Sequence, residues 1–205
     1  MKSFVQYLNE VSKEGKGLTV FDIDETLFRT FAMIKVVDKQ NKIIASLDNQ
    51  EFNTYKKDPD HHYDFGEFKN ADKFANTSIP IKPMIAKLKA ILKNATNVGS
   101  KVILMTARAD FDDKDTFLNK FRQYNININN IYVERAGNLS GQNPAANKKL
   151  LFNKYLSTNE YKRIRLYDDS LANIKALLSL QKKFPDVSFE GHLVDKAGKS
   201  KQIRS

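Results

Sequence analysis

The stretch Leu18-Thr19-Val20-Phe21-Asp22-Ile23-Asp24-Glu25-Thr26-Leu27-Phe28 constrains this chain more than any other. It opens with apolar, β-favouring residues and then delivers two aspartates and a threonine hydroxyl within five positions. A continuous apolar run reads as a strand buried on both faces, not as an alternating, half-exposed one. The run stops at Asp22, so this carboxylate is expected at the carboxyl end of a buried parallel strand. Ligands bind along that edge in open α/β sheets. A helix cap near Thr26 would need one polar side chain, and this stretch supplies three.

The pattern repeats downstream. Residues 101–106 read as a second buried strand ending in Thr106, residues 130–133 as a third, and residues 163–167 as a fourth that runs into Asp168-Asp169-Ser170. Helical stripes lie between and after them, at 80–94, 112–124, 144–156 and 171–182, the third expected to begin near Lys148. Residues 187–194 and 200–203 are expected to close the sheet around a turn at 195–199. Strands alternating with helices of these lengths imply an α/β fold: a parallel sheet with helices on both faces, in three α/β/α layers.

Residues 30–78 break that rhythm. Strands at 31–37 and 43–47 flank the turn Asp38-Lys39-Gln40-Asn41-Lys42, which predicts a β-hairpin. Residues 50–77 are polar and aromatic without a clear period, and a segment of that length reads as a functional flap. The expected organisation is a core made of residues 1–29 and 79–205, with residues 30–78 inserted as a small cap.

A chain of 205 residues has room for that arrangement. It contains no cysteine, which removes disulfides and thiolate metal sites and fits a reducing compartment. No apolar run reaches the roughly 20 residues of a membrane span, and the N-terminus lacks the apolar segment of a secretory signal. A soluble cytoplasmic protein with no membrane partner is the expectation. The formal net charge of +10 attracts polyanions, of which nucleic acid is the commonest. General solubility from scattered lysines is the other reading of that charge.

The chemistry follows from the residue types. Asp22 and Asp24, Thr106, and Asp168 and Asp169 stand at the ends of separate strands, where one sheet edge gathers them. Clustered carboxylates repel unless a cation joins them, and an all-oxygen site suits Mg²⁺. A metal with a lysine and a hydroxyl suits a phosphoryl group. A carboxylate such as Asp22 can attack phosphorus. A second carboxylate two residues on can protonate the leaving oxygen and then activate water, a contribution of about 10² to 10⁴-fold.

Asp22-Ile23-Asp24-Glu25-Thr26 resembles the first motif of the haloacid dehalogenase (HAD) superfamily, in the two-aspartate form of its phosphatases. Leu104-Met105-Thr106-Ala107-Arg108 resembles the second motif, Lys148 the third, and Asp168-Asp169-Ser170-Leu171-Ala172-Asn173 the fourth. The resemblance implies a Rossmann-like core and Mg²⁺-dependent phosphomonoester hydrolysis through an aspartyl phosphate. It implies Asp22 as nucleophile and Asp24 as general acid/base. Thr106 and Lys148 would hold the phosphoryl group. Asp168 would bind Mg²⁺ with the Asp22 carboxylate and the Asp24 backbone carbonyl.

Several positions stay open. Lys149 competes with Lys148, and Asp169 with Asp168. Arg108 reads as a contact to the substrate or as a structural salt bridge. Asn173 reads as support for Asp168 or as an ordinary helix residue. The small insertion resembles the small caps of the superfamily's acid phosphatases, C-terminal-domain protein phosphatases and polynucleotide 3′-phosphatases, which leave the cleft open. Phe52, Tyr55, Tyr63, Phe65 and Phe68 read as the insertion's own core, or as a stacking platform for bases. Residues 58–64, with His61 and His62, read as a solvated turn rather than a metal site. Residues 1–12 read as a short amphipathic helix built on Phe4, Leu8 and Val11. The first ten residues also resemble head-targeting peptides of tailed-phage internal proteins, which would place the chain in a virion or host cytoplasm. The functional expectation is a phosphatase acting on nucleic-acid 3′-phosphate ends or nucleotides. The alternatives are a phosphoprotein or small-metabolite phosphatase, and a non-catalytic phosphate- or nucleic-acid-binding protein.

Overall fold

Six strands form the central sheet in this computed structural model, which describes residues 15–97, 99–139 and 143–203. The first, β1 (Lys16–Phe21), is the apolar run that precedes Asp22, and Leu18, Val20 and Phe21 are all buried. The chain leaves the sheet through β2 (Phe28–Arg29) and builds the insertion. It returns through β6 (Ile79–Pro80), which pairs antiparallel with β2. Exit and re-entry are thus strapped together.

The insertion is better ordered than its sequence suggests. Strands β3 (Ile34–Val37) and β4 (Ile43–Leu47) form the expected hairpin, although β3 starts later than expected. The segment without a period supplies helix α1 (Asn49–Thr54) and strand β5 (His62–Asp64). A 3₁₀ turn at Gly66–Phe68 and helix α2 (Ala71–Thr77) follow. Strand β5 pairs with the far side of β3, so the hairpin becomes a three-stranded antiparallel sheet in the order β4-β3-β5. Its core is small: Ile34, Val36 and Leu47, with Phe52, Tyr55, Tyr63 and Phe68 packed on them. A strand of three residues carries too few alternations to show a period, so β5, the third strand of this sheet, leaves no mark in the sequence pattern. Glu67 ties it together by accepting from the Met33 backbone N–H at 2.8 Å and pairing with Lys73.

Beyond the insertion come α3 (Lys82–Asn97), β7 (Lys101–Thr106), α4 (Lys114–Arg122), β8 (Ile131–Arg135), α5 (Pro144–Leu156), β9 (Tyr161–Asp168), α6 (Leu171–Leu178), β10 (Ser188–Val194) and β11 (Ser200–Ile203). Helix α3 starts after Pro80, which the β2–β6 pairing claims, leaving Pro83 in the first turn. Helix α5 starts at Pro144, capped by Asn143, so Lys148 lies inside it rather than at its start. Helix α6 stops at Leu178, short of the expected 182.

The sheet order is β11-β10-β9-β1-β7-β8, parallel throughout except that β11 runs antiparallel to β10. The chain therefore winds outward from β1 in both directions, which makes the carboxyl end of β1 the topological switch point. Two apolar clusters cover the sheet. One contains Phe28, Leu88, Phe117 and Phe121, and the other Leu151, Phe152, Ile174 and Leu177. Burial of a single phenylalanine such as Phe117 or Phe152 contributes about 1.5–3 kcal/mol. Helix α6 packs closely enough on β10 that a Cβ on Gly191 would stand 2.6 Å from the Ile174 side chain.

Residues 1–14, and with them the N-terminal helix and the targeting-peptide resemblance, lie outside the described residues. No helix among the described residues is long and apolar enough to cross a membrane.

Candidate active site

Parallel register brings the polar strand ends together. Phe21 pairs with Leu104 of β7 on one side and with Tyr167 of β9 on the other. One step further on, Asp22 donates its backbone N–H to the Tyr167 carbonyl at 2.9 Å. Asp22 and Asp168 therefore emerge side by side, with Thr106 across the sheet edge.

Lys148 joins them. Its side chain is 1% exposed, and its Nζ donates to Asp22 Oδ1 at 2.5 Å and to Asp168 Oδ2 at 2.8 Å. The adjacent Lys149 is half-buried and takes no part in this cluster. Burial works against the Lys148 charge, but the Asp168 and Asp22 charges outweigh it and hold the ammonium protonated above its ordinary range. Burial pushes the Asp22 carboxyl up against the pull of Lys148, and Asp168, Asp169 and Asp24 add to the push.

Asp168 is fully engaged. Asn173 Nδ2 donates to Oδ1 at 2.9 Å and to Oδ2 at 3.0 Å, and the Ser170 N–H donates to Oδ1 at 2.9 Å. Asn173 is thus placed as support for Asp168. The Asp169 side chain is exposed instead, and no other side chain among the described residues claims its carboxylate. The surrounding protein and the Asp168 charge push it up to about 7, against the pull of Lys148. Oxygens of Asp22, Asp168 and Asp169 lie within 4.8 Å of one another. Three carboxylates around one ammonium leave a negative, all-oxygen cluster, a donor set that fits a divalent cation such as Mg²⁺.

Asp24 faces a different partner. Arg108 Nε reaches Asp24 Oδ1 at 3.0 Å and Oδ2 at 2.9 Å, and Nη2 reaches Oδ1 at 2.6 Å. Thr30 Oγ1 donates to Oδ1 at 2.8 Å, and Thr106 Oγ1 to Oδ2 at 3.3 Å. Burial pushes the Asp24 carboxyl up, but Arg108, the Thr30 hydrogen bond and the Lys148 charge together hold it below the ordinary carboxylate value. The turn that aims it is tight: Leu27 and Phe28 both donate to the Ile23 carbonyl, and Glu25 sits at a left-handed φ of 55°.

Arg108 is itself 3% exposed. Its Nη1 donates to the Phe68 carbonyl at 2.9 Å, and its guanidinium lies 4.7 Å from the Phe68 ring and 5.3 Å from the Phe74 ring. Phe68 and Phe74 both belong to the inserted segment. The loop that presents Arg108 is clamped from below, because a Cβ on Gly137 would stand 2.3 Å from the Ala107 carbonyl oxygen.

A cleft of about 870 Å³ opens over these groups. Asp22, Asp24, Arg108, Lys148, Asp169 and Asn173 form its floor, and Phe52, Tyr63, Phe65 and Phe68 of the insertion form a wall. Phe52, Tyr63 and Phe68 are therefore both part of the insertion's core and the cleft's lining. Phe65 is the most open of them at 44% exposure. Sequence reasoning left two features unrecognised: the Thr30 hydroxyl on Asp24 and the carbonyl of Phe68 on Arg108. Nothing in the spelling around Thr30 or Phe68 marks either one.

Sheet order, switch point and insertion after β1 define a Rossmann-like α/β protein with the HAD fold. The structure is similar to the HAD domain of the effector protein Lem4 from Legionella pneumophila in an inactive mutant. That likeness has a TM-score of 0.53 at 13% identity and covers 90% of this chain and 88% of that one. A second structure of the same Lem4 domain aligns with a TM-score of 0.48 at 13% identity, over 87% of this chain and 85% of that one. No protein-family profile and no curated protein matches the sequence.

Proposed function

We propose that this protein is a Mg²⁺-dependent phosphomonoester hydrolase that works through a phosphoryl group carried on Asp22. The carrying observation is the convergence of Asp22, Lys148 and Asp168 from three distant segments, with Asp24 beside them on its own partner. Lys148 takes one oxygen of Asp22, which leaves the other for the reacting centre.

The metal, when bound, neutralises charge on the phosphoryl oxygens. The side chains that fit it are Asp22 and Asp169, with the Asp24 backbone carbonyl completing the set. Asp168 lies in the same cluster, but its oxygens are already shared by Lys148, Asn173 and Ser170. Asp168 thus acts mainly by fixing Lys148.

Asp22 attacks phosphorus and the leaving oxygen departs with a proton from Asp24, which takes that proton up once substrate has loosened its pairing with Arg108. Asp24 then takes a proton from water as that water attacks phosphorus and breaks its bond to Asp22, which releases phosphate, frees the Asp22 carboxylate and returns Asp24 to its protonated form. Thr106 and Lys148 hydrogen-bond the phosphoryl oxygens in transit. The aromatic wall supports a substrate whose leaving group carries a ring, and nucleotides or nucleic-acid ends are such substrates.

The test is a panel of phosphomonoesters with Mg²⁺: an aryl phosphate, nucleoside 3′- and 5′-monophosphates, phosphotyrosine, phosphoserine and glycerol phosphate. Turnover that Asp22→Asn abolishes while the circular dichroism spectrum stays unchanged supports the reading. Lack of turnover with every ester overturns it.

A further inference from the structure

The basic surplus is not spread evenly over this molecule. Residues 30–78, which wall the cleft, carry seven lysines, no arginine and eight carboxylates. Residues 79–205 carry 23 basic residues against 11 acidic ones. Much of that excess gathers on one face. Helix α3 has four lysines and no acidic residue in its 16 residues.

Lys82, Lys89 and Lys93 are all exposed. Offsets of seven and then four residues keep them on one helical stripe. Like charges four apart destabilise a helix, and α3 offers them no acidic neighbour to relieve it.

The stripe continues beyond the helix. The β10–β11 turn packs on the start of α3, where Gly198 approaches Ile81 and Pro83, and Lys87 Nζ donates to Ser200 Oγ at 2.6 Å. That hairpin adds the exposed Lys196, Lys199 and Lys201. Arg29 joins through Nη2 to the Lys196 carbonyl at 3.3 Å. The neighbouring acids are occupied: Asp195 Oδ1 accepts from the Ala197 and Lys199 backbone, and Glu25 Oε1 from the Thr30 N–H.

From this arrangement we infer a docking face for a polynucleotide backbone, formed by α3, the β10–β11 turn and Arg29. It is separate from the cleft but adjoins it, since Thr30, next to Arg29, bonds Asp24. Lys82 and Lys93 lie about 16 Å apart along the axis, which matches four to five phosphates of one strand. The exposed residues between the lysines are Pro83, Ala86 and Ala90. None is the bulky apolar anchor that a helix needs to lie on a bilayer. With no aromatic side chain on the stripe, contacts go to phosphates and read no sequence.

The experiment measures anisotropy of a fluorescein-labelled 20-nucleotide single strand across a salt series. The proteins are the wild type, Lys82→Glu/Lys89→Glu/Lys93→Glu, and a charge-matched control, Lys162→Glu/Lys175→Glu/Lys183→Glu, with reversals on other surfaces. The α3 variant is expected to bind at least tenfold more weakly. Its plot of log K against log salt should be shallower by about 0.7 for each phosphate that is no longer neutralised. The control and Asp22→Asn should bind like the wild type, so docking is scored independently of hydrolysis. Equal losses in both triple variants, or no loss in the α3 variant, would overturn the proposal. Binding to phosphatidylserine vesicles without binding to the strand would overturn it too.

Discussion

Arg108 grips both carboxylate oxygens of Asp24 while its third nitrogen holds the Phe68 carbonyl, so one guanidinium links the strand-end acid to the inserted segment. The pair is shielded, with side-chain exposures of 2% and 17%. Both ends of this contact matter. The Asp24 end fixes the orientation of the carboxylate proposed to transfer protons, and the Phe68 end holds the aromatic wall over the cleft.

Arg108→Lys removes the planar fork and keeps the charge. A lysine cannot span both Asp24 oxygens and the Phe68 carbonyl at once. We expect kcat to fall at least tenfold for the best phosphomonoester. Arg108→Ala should go further and lower unfolding free energy by about 3 kcal/mol in urea melts, because it strands a shielded carboxylate. An Arg108→Lys enzyme with unchanged kcat would remove Arg108 from the positioning of Asp24.

Lys148 balances two buried carboxylates. Lys148→Met leaves Asp22 and Asp168 facing each other without a counter-charge, and should cost about 3–5 kcal/mol at pH 7. Asp22→Asn in the Lys148→Met background removes one of those charges and should restore part of the loss. Denaturant melts of the four proteins in this cycle give the coupling directly. Strict additivity would show that Lys148 and Asp22 do not share a site in solution.

Metal binding is readable without turnover. A divalent ion that binds only the folded state adds about 2.7 kcal/mol at 100 times its Kd. Mg²⁺ should therefore raise the melting temperature over an EDTA-treated sample. Asp169→Asn should abolish the rise, because Asp169 is the carboxylate left free in the cluster. A full Mg²⁺ shift in Asp169→Asn would assign the ion elsewhere.

His192 offers a pH handle outside the site. Its ring stacks on Tyr167 at 4.7 Å between centroids, with Glu190, Arg165 and Lys87 around it. Burial lowers its pKa below 6.5, and the Arg165 and Lys87 charges add to this against the pull of Glu190. Below pH 6.5 the unfolded chain takes up this proton before the folded one does. The His192 contribution to stability should therefore decline as pH falls through that window, and His192→Phe should flatten the decline. A ring titration followed by NMR checks the direction, and a midpoint above 6.5 would contradict it.

The α/β class, the parallel strands of the core and the edge where ligands gather were legible from residues 18–28, 101–106 and 163–169. Apolar runs bury themselves as strands, and parallel strands must put their carboxyl ends on one side. Local spelling therefore put Asp22, Thr106 and Asp168 at one sheet edge, and the pairing of β1 with both β7 and β9 set them near one another. It left open whether Lys148 or Lys149 turns inward, because a helix rotates about 100° per residue and its phase is set by what packs beneath it. It equally left open which of Asp168 and Asp169 stays free, since only the arrival of Lys148 and Asn173 uses up the oxygens of one. The third strand of the inserted sheet, the Thr30 hydroxyl on Asp24 and the double duty of Arg108 were decided by tertiary structure alone. Each depends on contacts between segments whose separation along the chain carries no local signal.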